Sequence, residues 1–188
     1  MIWTIPNIIT MFRILLIPAF VVIFYIPFPH HHGIGAGIFL LAAATDWLDG
    51  FVARHTQKTT KLGAFLDPVA DKLMVASALV LLVALYPYWW VAVPAIVIIC
   101  REIVVSALRE WMAELGQRSV VQVSMVGKLK TTAQMAAIFM LLLKPSVLTD
   151  TWVIVAFVLL YIAVILTVYS MWLYLIAAYK SMKTQDLS

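Results

Sequence analysis

Four aspartates, Asp46, Asp49, Asp67 and Asp71, interrupt otherwise apolar sequence in the frame DxxDGxxAR, eight residues, then GxxxDxxxD. On insertion scales a carboxylate at the middle of a membrane helix costs roughly 3 kcal/mol, so acids kept there mark a functional site. At about 100° per helical residue, with Asp46 at zero, Asp49 falls near −60°, Gly50 near +40°, Ala53 near −20° and Arg54 near +80°. Two acids and two small residues therefore share one helix face. Asp67 and Asp71 lie one turn apart, about 40° round the next helix. Two such helices side by side converge four carboxylates, and neighbours about 4 Å apart repel by about 4 kcal/mol at an effective dielectric near 20.

A divalent cation relieves that repulsion. The donors are all oxygen, with no His or Cys at usable spacing, which fits Mg2+, Mn2+ or Ca2+ rather than zinc. Two ions about 3.5–4 Å apart clamp the attacking and leaving oxygens of an in-line displacement at phosphorus. The small side chains at Gly50, Ala53 and Gly63 leave room for a diphosphate-linked group against the backbone. Arg54 is placed to hold a phosphate oxygen bidentately. The plain alternative is a structural role, with the acids paired to Lys72 or Arg54.

The elements that must position these residues are membrane helices. The chain has 188 residues, of which 64% are hydrophobic and 12% charged, with a mean hydropathy of +1.02, far from the balance of a soluble domain. Charge-free runs cover Ile14–Thr45, Leu73–Cys100, Thr131–Leu143 and Thr151–Tyr179. Pro and Gly break the first two runs, at Pro27 to Gly33 and at Pro87. The reading is all-α: a bundle of six transmembrane helices over 5–26, 34–55, 62–86, 88–113, 124–144 and 150–179, in one domain covering 1–188.

The third span shows where the charges must lie. Leu73 to Tyr86 rises only about 21 Å, short of the roughly 30 Å hydrocarbon core, so Asp67 and Asp71 extend that helix at one end. Spans one and four need Arg13 and Arg101 with Glu102 for the same reason. Of the 13 Lys and Arg, all but Lys144 fall on the side of the termini. By the positive-inside rule that side is the cytoplasm, so the site opens there and both termini are cytoplasmic.

Other features read as anchoring. Tyr86, Tyr88, Trp89, Trp90 and Trp152 form an aromatic belt at the opposite interface, and residues 1–5 lie along the cytoplasmic one. His30, His31 and His32 fall in the outer loop, away from the acids. Gly33, Gly35 and Gly37 answer to close helix packing rather than a dinucleotide loop. Glu102 with Arg109, and Glu110 with Glu114, read as solvated pairs on the cytoplasmic extension of span four. No cleavable signal peptide or internal repeat is read, and the lone Cys100 excludes an internal disulfide.

The sequences DWLDGFVAR and GAFLDPVAD, eight residues apart, resemble the signature of the CDP-alcohol phosphotransferases at every one of its eight fixed positions. IPNIITMFR, DPVADK, REIVVSALREWMAELG and GKLKTTAQM extend the likeness, along most of the chain, to the bacterial members that use glycerol 3-phosphate. The resemblance implies an enzyme of the bacterial inner membrane that moves the phosphatidyl group of CDP-diacylglycerol to sn-glycerol 3-phosphate, releasing CMP. Carried over by position, Asp46, Asp49, Asp67 and Asp71 hold Mg2+ or Mn2+, with two ions, and Asp71 is also the general base. Asp49, Gly50, Ala53, Arg54 and Gly63, with Thr60 as a weaker candidate, hold CDP-diacylglycerol. Asn7, Thr10 and Arg13 match the family's first-helix pattern, although Asn7 also reads as a helix start and Arg13 as a snorkelling residue. The resemblance further implies a homodimer in contact with membrane lipids, and no nucleic-acid partner.

The acceptor is inferred from charge. Arg101, Arg109, Lys128 and Lys130 cluster at the cytoplasmic ends of spans four and five, more cations than a neutral alcohol needs, and suit the dianion of glycerol 3-phosphate. Ordinary positive-inside topology accounts equally well for any one of them. Two other functions stay open. One is a sibling transferase acting on serine, inositol phosphate or phosphatidylglycerol. The other is a divalent-cation transporter, which would spread its acids along a route rather than on one face.

Overall fold

The computed structural model describes residues 5–56, 61–115, 125–144 and 148–185, with backbone alone over 5–6, 46–56, 61–62, 64, 125–126, 128 and 181–185. Its elements are six helices: α1 (Ile5–Tyr25), α2 (His31–Thr56), α3 (Lys61–Leu85), α4 (Trp89–Glu114), α5 (Met125–Leu143) and α6 (Thr151–Gln185). Long apolar runs with no polar partner of their own satisfy their backbone groups internally only as helices. The breaks after α1 and α3 fall where Pro27, Pro29 and Pro87 withdraw a backbone donor. Among the described residues, four stretches, Asn7–Tyr25, Phe65–Leu85, Trp89–Glu114 and Thr151–Lys180, are long and apolar enough to cross a membrane, while His31–Thr45 and Leu129–Leu143 are shorter apolar stretches.

Two boundaries differ from expectation. His31 and His32 do not sit in a loop but open α2. His30 takes a φ of 66°, which turns the chain sharply enough for the helix to begin at the next residue. The His31 Nδ1–H donates to the Phe28 carbonyl at 2.8 Å, so one ring nitrogen is spent on the turn. The other difference is α6, whose 35 residues rise about 52 Å, well past one hydrocarbon thickness.

The chain divides into two compact units, Met1–Pro87 with Ile138–Val153, and Tyr88–Ala137 with Ile154–Ser188. In the first, α1 packs on α2 and α3. Phe20 and Phe39 meet at 6.5 Å between ring centroids, and Ala36, Phe39, Ala42, Ala70, Met74, Ala78 and Leu82 form the apolar core around them. A Cβ on Gly35 would meet the Phe20 ring at 3.6 Å, an ordinary contact, and one on Gly33 or Gly37 would meet nothing within 4 Å. Close packing therefore does not demand these glycines. Tyr86 also leaves the expected belt, being buried, whereas Trp89 and Tyr88 are exposed. At the start of α6, Asp150 Oδ1 accepts from the Trp152 backbone N–H at 2.9 Å, an N-cap. The Trp152 indole donates to the Met140 carbonyl at 2.9 Å.

The second unit is built on α4, the first part of α5 and most of α6. Val105, Met112, Tyr174 and Ala178 form its core, with Leu108 and Met171 against it. Pro94 lies inside α4 and cannot donate to the carbonyl four residues back, that of Trp90. The Tyr161 hydroxyl donates to that carbonyl at 2.7 Å, while Phe157 packs edge-on against the Trp90 ring at 4.9 Å. A vacancy made by a proline in one helix is thus filled by a side chain of another.

Candidate active site

The acids belong to the first unit. Helix α2 runs unbroken through Asp46, Asp49, Gly50, Ala53 and Arg54 to Thr56, so the stretch has the helical pitch on which the expected shared face rests. The side chains of that stretch lie outside the described residues, and Thr60 lies outside them altogether. On α3, Gly63 is buried, Asp67 half-buried and Asp71 exposed. They follow one another at four-residue spacing and so line up along the helix.

Helix α1 supplies what positions Asp67. Asn7, Thr10 and Arg13 recur every third residue and are buried, Thr10 completely. A stripe of three polar side chains turned inward on an apolar helix needs polar partners. The Thr10 hydroxyl donates to Asp67 Oδ1, tying α1 to α3. One carboxylate oxygen is thereby fixed by a neutral donor, with the other oxygen outside that bond. An all-oxygen donor set so held suits a hard divalent cation. Among the described side chains no three of His, Cys, Asp and Glu gather as metal ligands, a set that excludes Asp46 and Asp49.

The cations belong to the second unit and are more tightly bound together than the sequence implied. Arg101 and Lys130 are almost fully buried. Arg101 donates through Nη1 to Glu102 Oε1 at 3.0 Å, and the Lys130 ammonium donates to the same oxygen at 2.5 Å. The second Arg101 nitrogen, Nη2, donates to Ser170 Oγ at 2.9 Å. Ser170 in turn donates to the Thr167 carbonyl at 3.0 Å. Arg109 donates through Nη2 to the Tyr174 hydroxyl at 3.2 Å. The Tyr174 ring has both guanidinium carbons near its face, at 5.9 Å for Arg101 and 5.3 Å for Arg109, a favourable cation–π arrangement.

This corrects the expected Glu102–Arg109 pair. Glu102 lies between Arg101 and Lys130, because burial of two cations requires an anion at hydrogen-bond distance, and Arg109 turns to α6 instead. Three of the four expected acceptor cations are therefore gathered around Glu102 and Tyr174; the Lys128 side chain lies outside the described residues. The residues that sequence reasoning missed are Ser170 and Tyr174. Their signal is the 3–4 spacing of Thr167, Ser170 and Tyr174, three buried polar residues in a run without charge.

A helical chain of apolar spans that carries DxxDGxxAR and GxxxDxxxD on successive helices belongs to the CDP-alcohol phosphatidyltransferase family, whose model matches residues 3–169. Among its relatives, a Yersinia enterocolitica protein named CDP-diacylglycerol–glycerol-3-phosphate 3-phosphatidyltransferase is 54% identical over 178 residues, 95% of this chain and 96% of its own length. Proteins of the same name from Pectobacterium atrosepticum, 54% identical over 94% of this chain and 95% of their own, and from Salmonella paratyphi A, with the same figures, are equally similar.

Proposed function

We propose that this chain transfers the phosphatidyl group of CDP-diacylglycerol to sn-glycerol 3-phosphate, giving phosphatidylglycerophosphate and CMP, as a phosphotransferase of phospholipid synthesis. The observation that carries the reading is identity of 54% over 95% of the chain with a relative named for that reaction. All eight motif positions are also in place.

The free primary hydroxyl oxygen of the acceptor forms a bond to the lipid-bearing phosphorus. The bond from that phosphorus to the bridging pyrophosphate oxygen breaks, and CMP leaves with the electron pair. Asp71 accepts the hydroxyl proton. Asp46, Asp49, Asp67 and Asp71 would hold Mg2+ or Mn2+, two ions, and such ions would supply neutralisation of the charge on the phosphate oxygens. Thr10 supports this assignment by fixing one oxygen of Asp67. Asp49, Gly50, Ala53, Arg54, Thr60 and Gly63 hold the CDP part of the donor. Arg101, Arg109, Lys128 and Lys130 hold the acceptor phosphate, a role supported by the shared network of the three whose side chains are described.

All six helices span the bacterial inner membrane, with the active site and both termini cytoplasmic. Support comes from the 26 residues of α2 and the 19 of α5, which rise about 39 and 28 Å, near one bilayer core, and from the bias of Lys and Arg to one side. One family model running from residue 3 to 169 supports a single functional domain. The family resemblance adds a homodimer, to be checked by cross-linking in native membranes.

The test is CMP release by purified protein from CDP-diacylglycerol with and without glycerol 3-phosphate and Mg2+. Release that needs both additions is expected. Release driven instead by serine, inositol phosphate or phosphatidylglycerol would reassign the acceptor, and cation flux in liposomes without CMP release would replace the enzyme by a transporter.

A further inference from the structure

Charge in the second unit does not balance among its described groups. Among the described groups, Arg101 and Lys130 share one carboxylate, Glu102, and Arg109 joins Arg101 at the Tyr174 ring. The unit's other described acids, Glu110 and Glu114, are exposed. Three cations against one carboxylate leave a surplus of about two positive charges, in a place where Arg101 and Lys130 are almost fully buried and unneutralised charge is costly. A phosphate monoester carries about −1.5 to −2 at neutral pH. The surplus therefore matches that ligand class and overshoots a singly charged phosphodiester.

Geometry gives Glu102 a second part. A single oxygen, Oε1, accepts from Arg101 on α4 at 3.0 Å and from Lys130 on α5 at 2.5 Å. Without it two buried cations would repel each other. Ser170 and Tyr174 hold Arg101 and Arg109 from α6. Each of the three cations is thus held by a residue other than the ligand, which is how a site avoids ordering losses on binding.

We propose that Glu102 is a positioning residue of the acceptor site: it draws Arg101 and Lys130 together and sets the cluster's surplus charge to that of a phosphate monoester dianion. The inference rests on the acceptor role proposed above for these cations. With Glu102→Gln the carboxylate charge is lost while size is kept, so Arg101 and Lys130 separate and the receptor loses its shape. Glu102→Asp keeps the charge on a shorter arm.

The experiment uses full-length protein in nanodiscs and two readouts. In steady-state CMP release, Glu102→Gln is expected to raise the KM for glycerol 3-phosphate about tenfold and that for CDP-diacylglycerol less than about twofold, with Glu102→Asp between it and the parent. In thermal unfolding without CDP-diacylglycerol, glycerol 3-phosphate is expected to raise the parent's midpoint and to leave that of Glu102→Gln unmoved. An equal rise in both KM values, a loss in kcat alone, or a fall in the KM for glycerol 3-phosphate would overturn the inference. So would an equal thermal shift in parent and variant, or none in the parent. If the parent is stabilised by glycerol 3-phosphate yet makes no lipid from it, the proposed reaction fails while the monoester receptor stands.

Discussion

Asp67 is held by one hydroxyl from a neighbouring helix, whereas Arg101, Lys130 and Arg109 are held by a carboxylate, a serine and a tyrosine drawn from two further elements. Covalent spacing already aligns acids within one helix: three or four residues along it bring two carboxylates to one face. The cations come from α4 and α5, far apart in the chain, and carry long side chains with much rotamer freedom to lose. Their order has to be supplied by partners. Short, stiff side chains on one helix are aligned mostly by local structure, while long, flexible ones from two helices are aligned mostly by tertiary partners.

That contrast is open to attack from both sides. The largest effect is expected at Asp71: Asp71→Asn should lower kcat by more than about a thousandfold while CDP-diacylglycerol binding and helical circular dichroism stay near those of the parent. Normal turnover would remove the base assignment. Next comes Thr10→Val, which deletes the bond from the Thr10 hydroxyl to Asp67 and keeps the shape of the side chain. It should weaken Mn2+ binding about tenfold in a spin-resonance titration, with Thr10→Ser close to the parent. Unchanged binding in the valine variant would show that helix spacing alone sets the acid site.

On the cation side, Arg109→Ala should raise the KM for glycerol 3-phosphate severalfold more than that for CDP-diacylglycerol, and Tyr174→Phe, which keeps the ring and deletes the accepting hydroxyl, should do the same to a smaller degree. Equal changes in the two constants would contradict the acceptor role. The smallest effect is expected away from both charged regions. Tyr161→Phe leaves the Trp90 carbonyl beside Pro94 without its donor and should cost about 1 kcal/mol of stability, read as a lower unfolding temperature, with both KM values intact.

Much of the fold was legible before the coordinates. The helix ends at Tyr25, Leu85 and Leu143 fall within two residues of the expected limits, because proline and the return of charge are strong local signals. The start of α2 was not, since a positive φ at a non-glycine residue such as His30 leaves no mark in composition. The burial of Tyr86 escaped for a related reason. Aromatic residues near a membrane interface look alike in sequence whether they face lipid or core. Glu102 was assigned to Arg109 by helical spacing, yet its partners are its immediate neighbour and a lysine on another helix, which no periodicity reports.

By itself the sequence determined a helical membrane chain, the order and near-limits of its helices, and the alignment of acids with small residues within α2 and within α3, because each depends on hydropathy and on the fixed pitch of one helix. Only the tertiary structure decided that Thr10 orients Asp67, that Glu102 joins Arg101 to Lys130, and that Tyr174 receives Arg109. Apart from the neighbours Arg101 and Glu102, those contacts link residues from 28 to 65 positions apart, and the energy that selects them is the cost of leaving a buried polar group alone, which appears only once the helices have packed.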